Sequence, residues 1–197
     1  MRVVLATANP DKAREIVEIL GAVGGIEILA RPADLGEVDE TAETLEDNAV
    51  LKAVAVAGAT GLPAVADDTG LFVDALGGAP GVYSARYAGE RATYADNVAK
   101  LLDALASSGV PRTARFETAA VLVDPAARRT VAIGTLHGVI ATAPRGSRGF
   151  GYDSVFVPDG AGGRTLAELE DDEKHAISHR GRAFRALAAQ LEGANLD

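Results

Sequence analysis

The order of apolar patterns along the chain restricts its fold more than any other feature of the sequence. Short continuous apolar runs, which are typical of buried strands, alternate with stretches whose apolar residues recur at helical spacing. This alternation predicts an α/β protein. The expected strands are 2–8, 26–30 and 62–66, and the expected helices are 10–21, 44–61 and 93–109.

Residues that cap helices support these assignments. Asn9 stands at an N-cap position with Pro10 at the first helical position. Thr44 is placed to cap the second helix, and Gly61 follows the end of that helix.

The pattern becomes rich in β-forming residues after Pro111. Segments 112–124 and 129–144 are joined by the turn-like "PAAR", which predicts a hairpin. The chain closes with an expected helix at 177–193. Its apolar stripe is formed by Ile177, Phe184, Leu187 and Leu191. Because there is no repeat or flexible linker, we expect residues 1–197 to form one domain with two lobes.

Composition excludes several classes of protein. The chain is 48% hydrophobic and 24% charged, which is typical of a folded globular protein. It has no apolar run of about 18 residues, so we expect no membrane span. The first residues are too briefly apolar for a signal peptide. With no cysteine, disulfides and thiolate metal sites are excluded, and a cytoplasmic location is expected.

The charge balance narrows the choice of ligand. A net charge of -9 argues against a nucleic-acid-binding surface but leaves room for a small anionic ligand held by a few local cations. Only four of the nineteen basic residues are lysines: Lys12, Lys52, Lys100 and Lys174. Three of these four fall inside the candidate motifs described below.

The first candidate motif is "TANPDK", Thr7–Lys12, at a junction between a strand and a helix. The amides of a helix N-terminus suit a phosphate, and Lys12 could reach the same group. An ordinary capped helix is the alternative interpretation. The glycines of a Walker motif are missing.

Two acidic stretches follow. Segment 39–52 places Glu40 before a helix and Asn48 and Lys52 on one face of it, although acidic residues near a helix start are also expected from the helix dipole alone. The pair Asp67 and Asp68 follows a short apolar run, so we expect both at the end of a buried strand, where α/β folds place ligands. Such carboxylates could hold Mg²⁺ and orient a water molecule. An aspartate-rich turn is the alternative.

Two further motifs lie near the C-terminus. In "SRGFGYDSVF", glycines flank Phe150, whose ring could stack on a base, while Asp153 could accept hydrogen bonds from a base edge. An aromatic hairpin with its rings in the core is equally compatible with this pattern. In "EKHAISHRG", Lys174, His179 and Arg180 are donors suited to phosphate or a purine carbonyl, or to a solvated helix surface.

Together these motifs resemble the inosine/xanthosine triphosphate pyrophosphatases, which hydrolyse deaminated purine nucleoside triphosphates. The resemblance runs from "VVLATANPDKAREI" through "EDNAVLKA" and "ADDTGLFVDALGGAPGVYSARYAG" to "GFGYD" and "EKHAISHRG", in order and over nearly the whole chain. It implies a two-lobed α/β fold with a long central mixed sheet, an active site in the cleft between the lobes, a homodimer and a requirement for Mg²⁺. Small departures include "TAN", "DDTG" and Ser154, none of which removes a proposed catalytic group.

The resemblance also implies roles for individual residues. Asp68 matches the general base and metal ligand, and Glu40 matches a second metal ligand. The residues that match substrate-binding positions are Thr7, Ala8, Asn9, Pro10, Asp11, Lys12, Lys52, Thr69, Phe150, Gly151, Tyr152, Asp153, Lys174, His179 and Arg180.

A mechanism follows as an expectation. A water molecule on Mg²⁺, with Asp68 as its base, would attack the α-phosphorus and release pyrophosphate, while Lys12, Lys52 and Lys174 offset phosphate charge. Buried donors such as Arg180 or backbone amides would be left without an acceptor if ATP were bound. Such a site would favour a 6-oxo purine over adenine by roughly 10⁴-fold or more. Two alternatives remain open: a related pyrophosphatase acting on modified pyrimidines or other nucleotides, and a nucleotide sensor without hydrolytic activity.

Overall fold

The computed structural model describes residues 1–23, 25–36, 38–106, 109 and 111–194. Strands and helices alternate through the first half of the chain. The strands are β1 Arg2–Leu5, β2 Glu27–Leu29, β3 Ala64–Val73, β4 Pro80–Gly81, β5 Thr113–Val123, β6 Arg129–Ile140 and β7 Phe156–Pro158. The helices are α1 Pro10–Val23, α2 Leu45–Thr60, α3 Tyr94–Leu105, α4 Asp171–Ile177 and α5 His179–Ala194.

The strands form one mixed sheet in the order β2-β1-β3-β5-β6-β7, with β4 also paired to β3. Strand β1 is parallel to both β2 and β3, whereas β7 is antiparallel to β6. The neighbours β5 and β6 are joined only by the turn Asp124–Arg128, which confirms the predicted hairpin. The expected α/β class, with a mixed sheet and flanking helices, is confirmed.

The chain divides into two compact units, and β3, β5 and β6 contribute residues to both. The first unit comprises Met1–Asp68, Thr118–Gly134 and His179–Asp197, and the second comprises Thr69–Glu117 and Thr135–Ser178. The first unit contains two apolar clusters, one including Phe184 of α5 and the other Val56 of α2. A third cluster, around Phe156, forms the core of the second unit. A single domain and an active site in a cleft between lobes stay predictions.

Helix starts agree with the capping patterns. The Asn9 carboxamide oxygen accepts hydrogen bonds from the amides of Asp11 and Lys12, at 2.9 and 3.2 Å. Thr44 caps α2, which ends at a left-handed Gly61. Thr93 and Asp96 form a capping box at the start of α3. Within the described residues, no helix is long and apolar enough to span a membrane.

Several boundaries differ from the sequence-based expectation. Strand β1 ends at Leu5 rather than at 8, and β6 ends at Ile140 rather than at 144. The strand before the aspartate pair does not end there, because β3 continues to Val73 through another apolar run. The closing helix is interrupted at Ser178, whose extended backbone separates α4 from α5 and places Ile177 against the core of the second unit. Helix α3 ends at Leu105 rather than at 109, and residues 107 and 108 lie outside the described part of the chain.

Close packing of α5 on β6 depends on Gly134. A Cβ atom at this position would overlap the carbonyl oxygen of His179 and the amide nitrogen of Ala183. We therefore expect Gly134→Ala to lower the free energy of unfolding by about 1–3 kcal/mol, as overpacking does. Gly58 of α2 is the matched control, because a Cβ there meets no atom within 4 Å.

Gly58→Ala should instead raise the free energy of unfolding by about 0.5–1 kcal/mol. Glycine loses more backbone freedom than alanine does when the unfolded chain forms the helix. Urea denaturation of both variants provides the comparison. Equal effects of the two substitutions would show that the approach of α5 to Gly134 is not tight.

Candidate active site

Asp67 and Asp68 lie on opposite faces of β3. Successive side chains of a strand alternate between its two faces. Val65 packs in the cluster that contains Phe184 of α5, so Asp67 points to the same side, whereas Ala66 and Asp68 point toward α2. The predicted strand end is wrong for β3. Its neighbour β1, however, ends at Leu5, which pairs with Val65. Both carboxylates therefore lie just beyond the carboxyl end of β1.

Asp68 contacts polar side chains of α2. The Asn48 carboxamide nitrogen donates to Asp68 Oδ2 at 3.3 Å, and Lys52 Nζ lies 3.4 Å from Asp68 Oδ1. Lys52 also donates to Glu40 Oε1 at 2.6 Å. The Asn48 carboxamide oxygen accepts from the amide of Ala42 at 2.9 Å. Asn48 thus connects the segment before α2 to Asp68.

Asp67 is fully buried and contacts two cations. Arg180 donates from Nε and Nη2 to Asp67 Oδ2 at 3.2 and 3.1 Å. Lys12 Nζ lies 3.5 Å from the same oxygen and 3.8 Å from Asp68 Oδ1. Lys12 therefore interacts with both members of the pair.

These ion pairs form one row in which negative and positive charges alternate. The row is Glu15, Arg180, Asp67, Lys12, Asp68, Lys52 and Glu40. Four carboxylates face three cations, so each buried charge has at least one neighbour of opposite sign. Such pairing is what makes buried charges tolerable in a fold. The row also places two lysines beside the carboxylate that the resemblance identifies as the base.

The environments of the two aspartates shift their pKa values in opposite directions. Burial raises the pKa of Asp68 above its ordinary value, and Lys12 and Lys52 only partly offset this effect. Burial acts on Asp67 in the same sense, but the charges of Lys12 and Arg180 outweigh it, and the pKa of Asp67 is lowered. Asp67 is thus held as a carboxylate, and Asp68 is the better proton acceptor of the two.

The carboxylate oxygens of Asp68 and Glu40 are ligands of the type that a hard divalent cation prefers. Among the described residues, no group of three or more His, Cys, Asp or Glu side chains is arranged to hold a metal. However, Glu40 and Asp68 both contact the single ammonium of Lys52, so two carboxylates already converge on one positive charge. Mg²⁺ commonly uses one or two protein carboxylates together with water and phosphate oxygens. Asp68 and Glu40 are therefore suitable ligands.

The segment Thr7–Lys12 forms a compact turn. The amide of Asn9 donates to the Thr7 hydroxyl at 3.1 Å, and the Asn9 side chain caps α1. Asp11 forms an ion pair with Arg14, at 3.6 Å. From this predicted segment, Lys12 joins the charged row. The proposed substrate contacts of Thr7, Ala8, Asn9, Pro10 and Asp11 stay predictions.

A second cluster of predicted residues lies in the second unit. Lys174 Nζ donates to Asp153 Oδ2 at 2.7 Å, and the amide of Phe150 donates to the same oxygen at 2.9 Å. Lys174 also lies 5.3 Å from the centre of the half-buried Phe150 ring, and Tyr94 packs against that ring at 5.8 Å. The structure therefore brings Phe150, Asp153 and Lys174 together.

Other predicted residues have defined positions. Gly151 has a φ of 61°, which favours glycine. Tyr152 is a core residue whose hydroxyl donates to the Ser84 carbonyl at 2.9 Å. Thr69 follows Asp68 in β3 and is half-buried. His179 Nδ1 lies 2.6 Å from the Thr118 hydroxyl oxygen. The contacts of these residues with substrate stay predictions.

Glu15 and Thr118, whose side chains contact Arg180 and His179, escaped the sequence interpretation. Glu15 lies three residues after Lys12 and four before Ile19, so its spacing placed it on the buried face of α1. Thr118 follows Phe116 by two residues in β5, so it shares the inward face of that strand. Periodicity could have found both, although it could not have identified their partners.

Comparison with known proteins agrees with these observations. A sequence model of the Ham1 family matches residues 3–190. A protein of Geobacter sulfurreducens named dITP/XTP pyrophosphatase is 50% identical over 194 residues, covering 96% of each chain. A protein of Frankia alni with the same name is 52% identical over 200 residues, covering 97% of each chain.

A solved structure shows the same fold. The HAM1 protein from Coxiella burnetii superposes with a TM-score of 0.88 at 40% identity, covering 98% of this chain and 99% of the other. The fold, the family match and the order of the motifs agree with one another and with the resemblance stated above. The chain therefore belongs to the Ham1 family.

Proposed function

We propose that this protein hydrolyses deaminated purine nucleoside triphosphates (ITP, dITP and XTP) to the monophosphate and pyrophosphate. Relatives about half identical over nearly the whole chain carry the name dITP/XTP pyrophosphatase. The observation that carries the proposal is the placement of Asp68, a buried carboxylate with a raised pKa between two lysines. Such a group suits a reaction between water and a polyanion.

Asp68 is proposed to accept the proton of the attacking water. A general base must hold its lone pair toward the water while its own position is fixed. The hydrogen bond from Asn48 and the ion pair with Lys52 fix the Asp68 carboxylate from the side of α2. Water then attacks the α-phosphorus, the bond to the bridging oxygen breaks, and pyrophosphate leaves.

Mg²⁺, for which Asp68 and Glu40 are the proposed ligands, would supply charge neutralisation on the triphosphate. Lys12 and Lys52 are proposed to contribute to the same neutralisation, because each already lies within 4 Å of Asp68. In phosphoryl transfer, positioning and electrostatic stabilisation supply most of the catalysis. Lys52 would exchange its carboxylate contacts for a phosphate oxygen.

The second unit offers an apolar surface for a base. Phe150 is half-buried, and Asp153 and Lys174 fix its backbone and ring. We propose that the base stacks on Phe150, since a ring that is already held loses little freedom on binding. Arg180 is a weaker candidate for reading a 6-oxo group than the sequence indicated, because its guanidinium contacts Asp67 and Glu15.

A substrate panel tests the proposal. Pyrophosphate release from dITP, ITP, XTP, dATP and dGTP is measured with Mg²⁺ and with EDTA. We expect release from the first three only, and none with EDTA. Equal release from dATP would contradict the selectivity, and binding of dITP without release would favour the nucleotide sensor. The homodimer that the resemblance implies and the cytoplasmic location expected from the composition stay predictions.

A further inference from the structure

Glu15 is a buried carboxylate that the proposed chemistry does not use. It lies on α1 with 4% of its surface exposed. Glutamates are rarely buried this far unless a cation accompanies them. Its carboxylate accepts a hydrogen bond from Arg180 Nη1 at 2.5 Å. Arg180, at the start of α5, is also buried, with 3% exposed.

Two carboxylates hold the guanidinium of Arg180. Nε and Nη2 donate to Asp67, and Nη1 donates to Glu15. Since a guanidinium is a rigid planar fork, carboxylates on two of its edges fix both its position and its plane. Without Glu15, the Nη1 edge would lose a charged acceptor in a place where water has little access.

The consequence reaches Asp68 through Lys12. Lys12 Nζ lies at similar distances from Asp67 and Asp68, 3.5 and 3.8 Å. If Arg180 turned away from Asp67, the negative charge of Asp67 would be offset mainly by Lys12. Lys12 would then be drawn toward Asp67 and away from Asp68, where the proposed reaction needs it.

We propose that Glu15 is a positioning residue: by holding Arg180 on Asp67, it keeps Lys12 placed between the two aspartates. The consequence for turnover rests on the function proposed above. Substitution of residues that orient the ligands of a metal site typically lowers activity about 10- to 100-fold. We expect that range for kcat of Glu15→Gln. Glu18→Gln is the matched control, because Glu18 is an exposed glutamate on the same helix.

The first test requires no activity. The Arg180 Nε–H signal is identified in a ¹H–¹⁵N spectrum of the whole protein by its loss in Arg180→Lys. In the wild type the Nε–H proton should exchange slowly with solvent, because it is hydrogen-bonded to the buried Asp67. In Glu15→Gln it should shift and exchange faster, while in Glu18→Gln it should not change. An unchanged signal in Glu15→Gln would overturn the proposal.

The second test is a double-substitution cycle on kcat for dITP. In an Asp67→Asn background, Glu15→Gln should change kcat by no more than about twofold, the scatter of independent effects. If the role of Glu15 were merely structural, Glu15→Gln would lower kcat by the same factor in both backgrounds. That result would overturn the proposal. If the wild type does not hydrolyse dITP, the proposed function fails.

If the wild type does not hydrolyse dITP, or if turnover is too low to measure in either background, the NMR comparison alone decides whether Glu15 holds Arg180. Should Glu15→Gln not fold, Glu15→Asp takes its place in both comparisons. It keeps the charge but is one methylene shorter, so changes of the same kind are expected. Identical behaviour of Glu15→Asp and the wild type in both comparisons would overturn the proposal.

Discussion

Replacing Asp68 with asparagine should lower kcat for dITP by about 10²- to 10⁴-fold, the range for loss of a general base. Asparagine matches the shape of aspartate but cannot accept the proton of water. It would also remove one of the two carboxylates that fit Mg²⁺. Steady-state pyrophosphate release at saturating dITP and Mg²⁺ measures the effect. Retention of a tenth or more of wild-type turnover would contradict the assignment of Asp68 as base.

The same substitution should not destabilise the fold. Burial raises the pKa of Asp68, so its charged form is disfavoured in the folded protein relative to the unfolded chain. When the pKa of an acid is raised by folding, the free energy of unfolding falls as the pH rises through the pKa of the folded protein. A neutral asparagine avoids that loss. Asp68→Asn should therefore melt at or above the wild-type temperature in metal-free buffer at neutral pH. Asp103→Asn, an exposed position on α3, is the control for both measurements.

Replacing Lys174 with methionine should lower the free energy of unfolding by about 3–5 kcal/mol, as expected when one partner of a buried ion pair is removed. The side chains of Lys174 and Asp153 are only 4% and 7% exposed, and they lie 2.7 Å apart. Methionine fills a similar volume but leaves the buried Asp153 carboxylate without the Lys174 ammonium, which donates to it at 2.7 Å. Urea denaturation measures the loss.

Two variants separate this effect from simple truncation. Lys174→Met combined with Asp153→Asn should recover part of the stability, because no buried charge is then left without its counter-ion. Lys100→Met, at an exposed lysine of α3 that donates to the Tyr87 carbonyl and lies 4.5 Å from the centre of the Tyr87 ring, should lower the free energy of unfolding by no more than about 1 kcal/mol. If Lys174→Met behaved like Lys100→Met, the ion pair with Asp153 would contribute little to the fold.

Local patterns predicted the parts of the fold that depend on neighbours in sequence. The predicted cap residues Asn9 and Thr44 each accept hydrogen bonds from amides two or three residues away, so their signal lies within one turn of helix. The β-forming residues after Pro111 and the turn-like "PAAR" likewise located β5 and β6. These signals depend on residues that are close together in the sequence, and for that reason the sequence alone could identify them.

The aspartate pair shows where local reasoning stopped. Two charged residues after an apolar run normally indicate that a strand has ended, yet β3 continues through Asp67 and Asp68. The strand tolerates them because Arg180, Lys12 and Lys52 compensate their charges.

Those partners lie far away in the sequence. Arg180 is 113 residues from Asp67 and 165 from Glu15. Nothing in the neighbouring sequence encodes such a pairing. The resemblance to a known family predicted five participating residues: Lys12, Glu40, Lys52, Asp68 and Arg180. Their contacts with one another required the structure.

The most direct test of the proposed reaction is to follow the oxygen atom of the attacking water. dITP is hydrolysed by the protein with Mg²⁺ in H₂¹⁸O, the products are separated, and their masses are measured by mass spectrometry. Attack on the α-phosphorus predicts one ¹⁸O atom in dIMP and none in pyrophosphate. Label in pyrophosphate, or formation of dIDP and phosphate, would contradict the proposed reaction at the α-phosphorus.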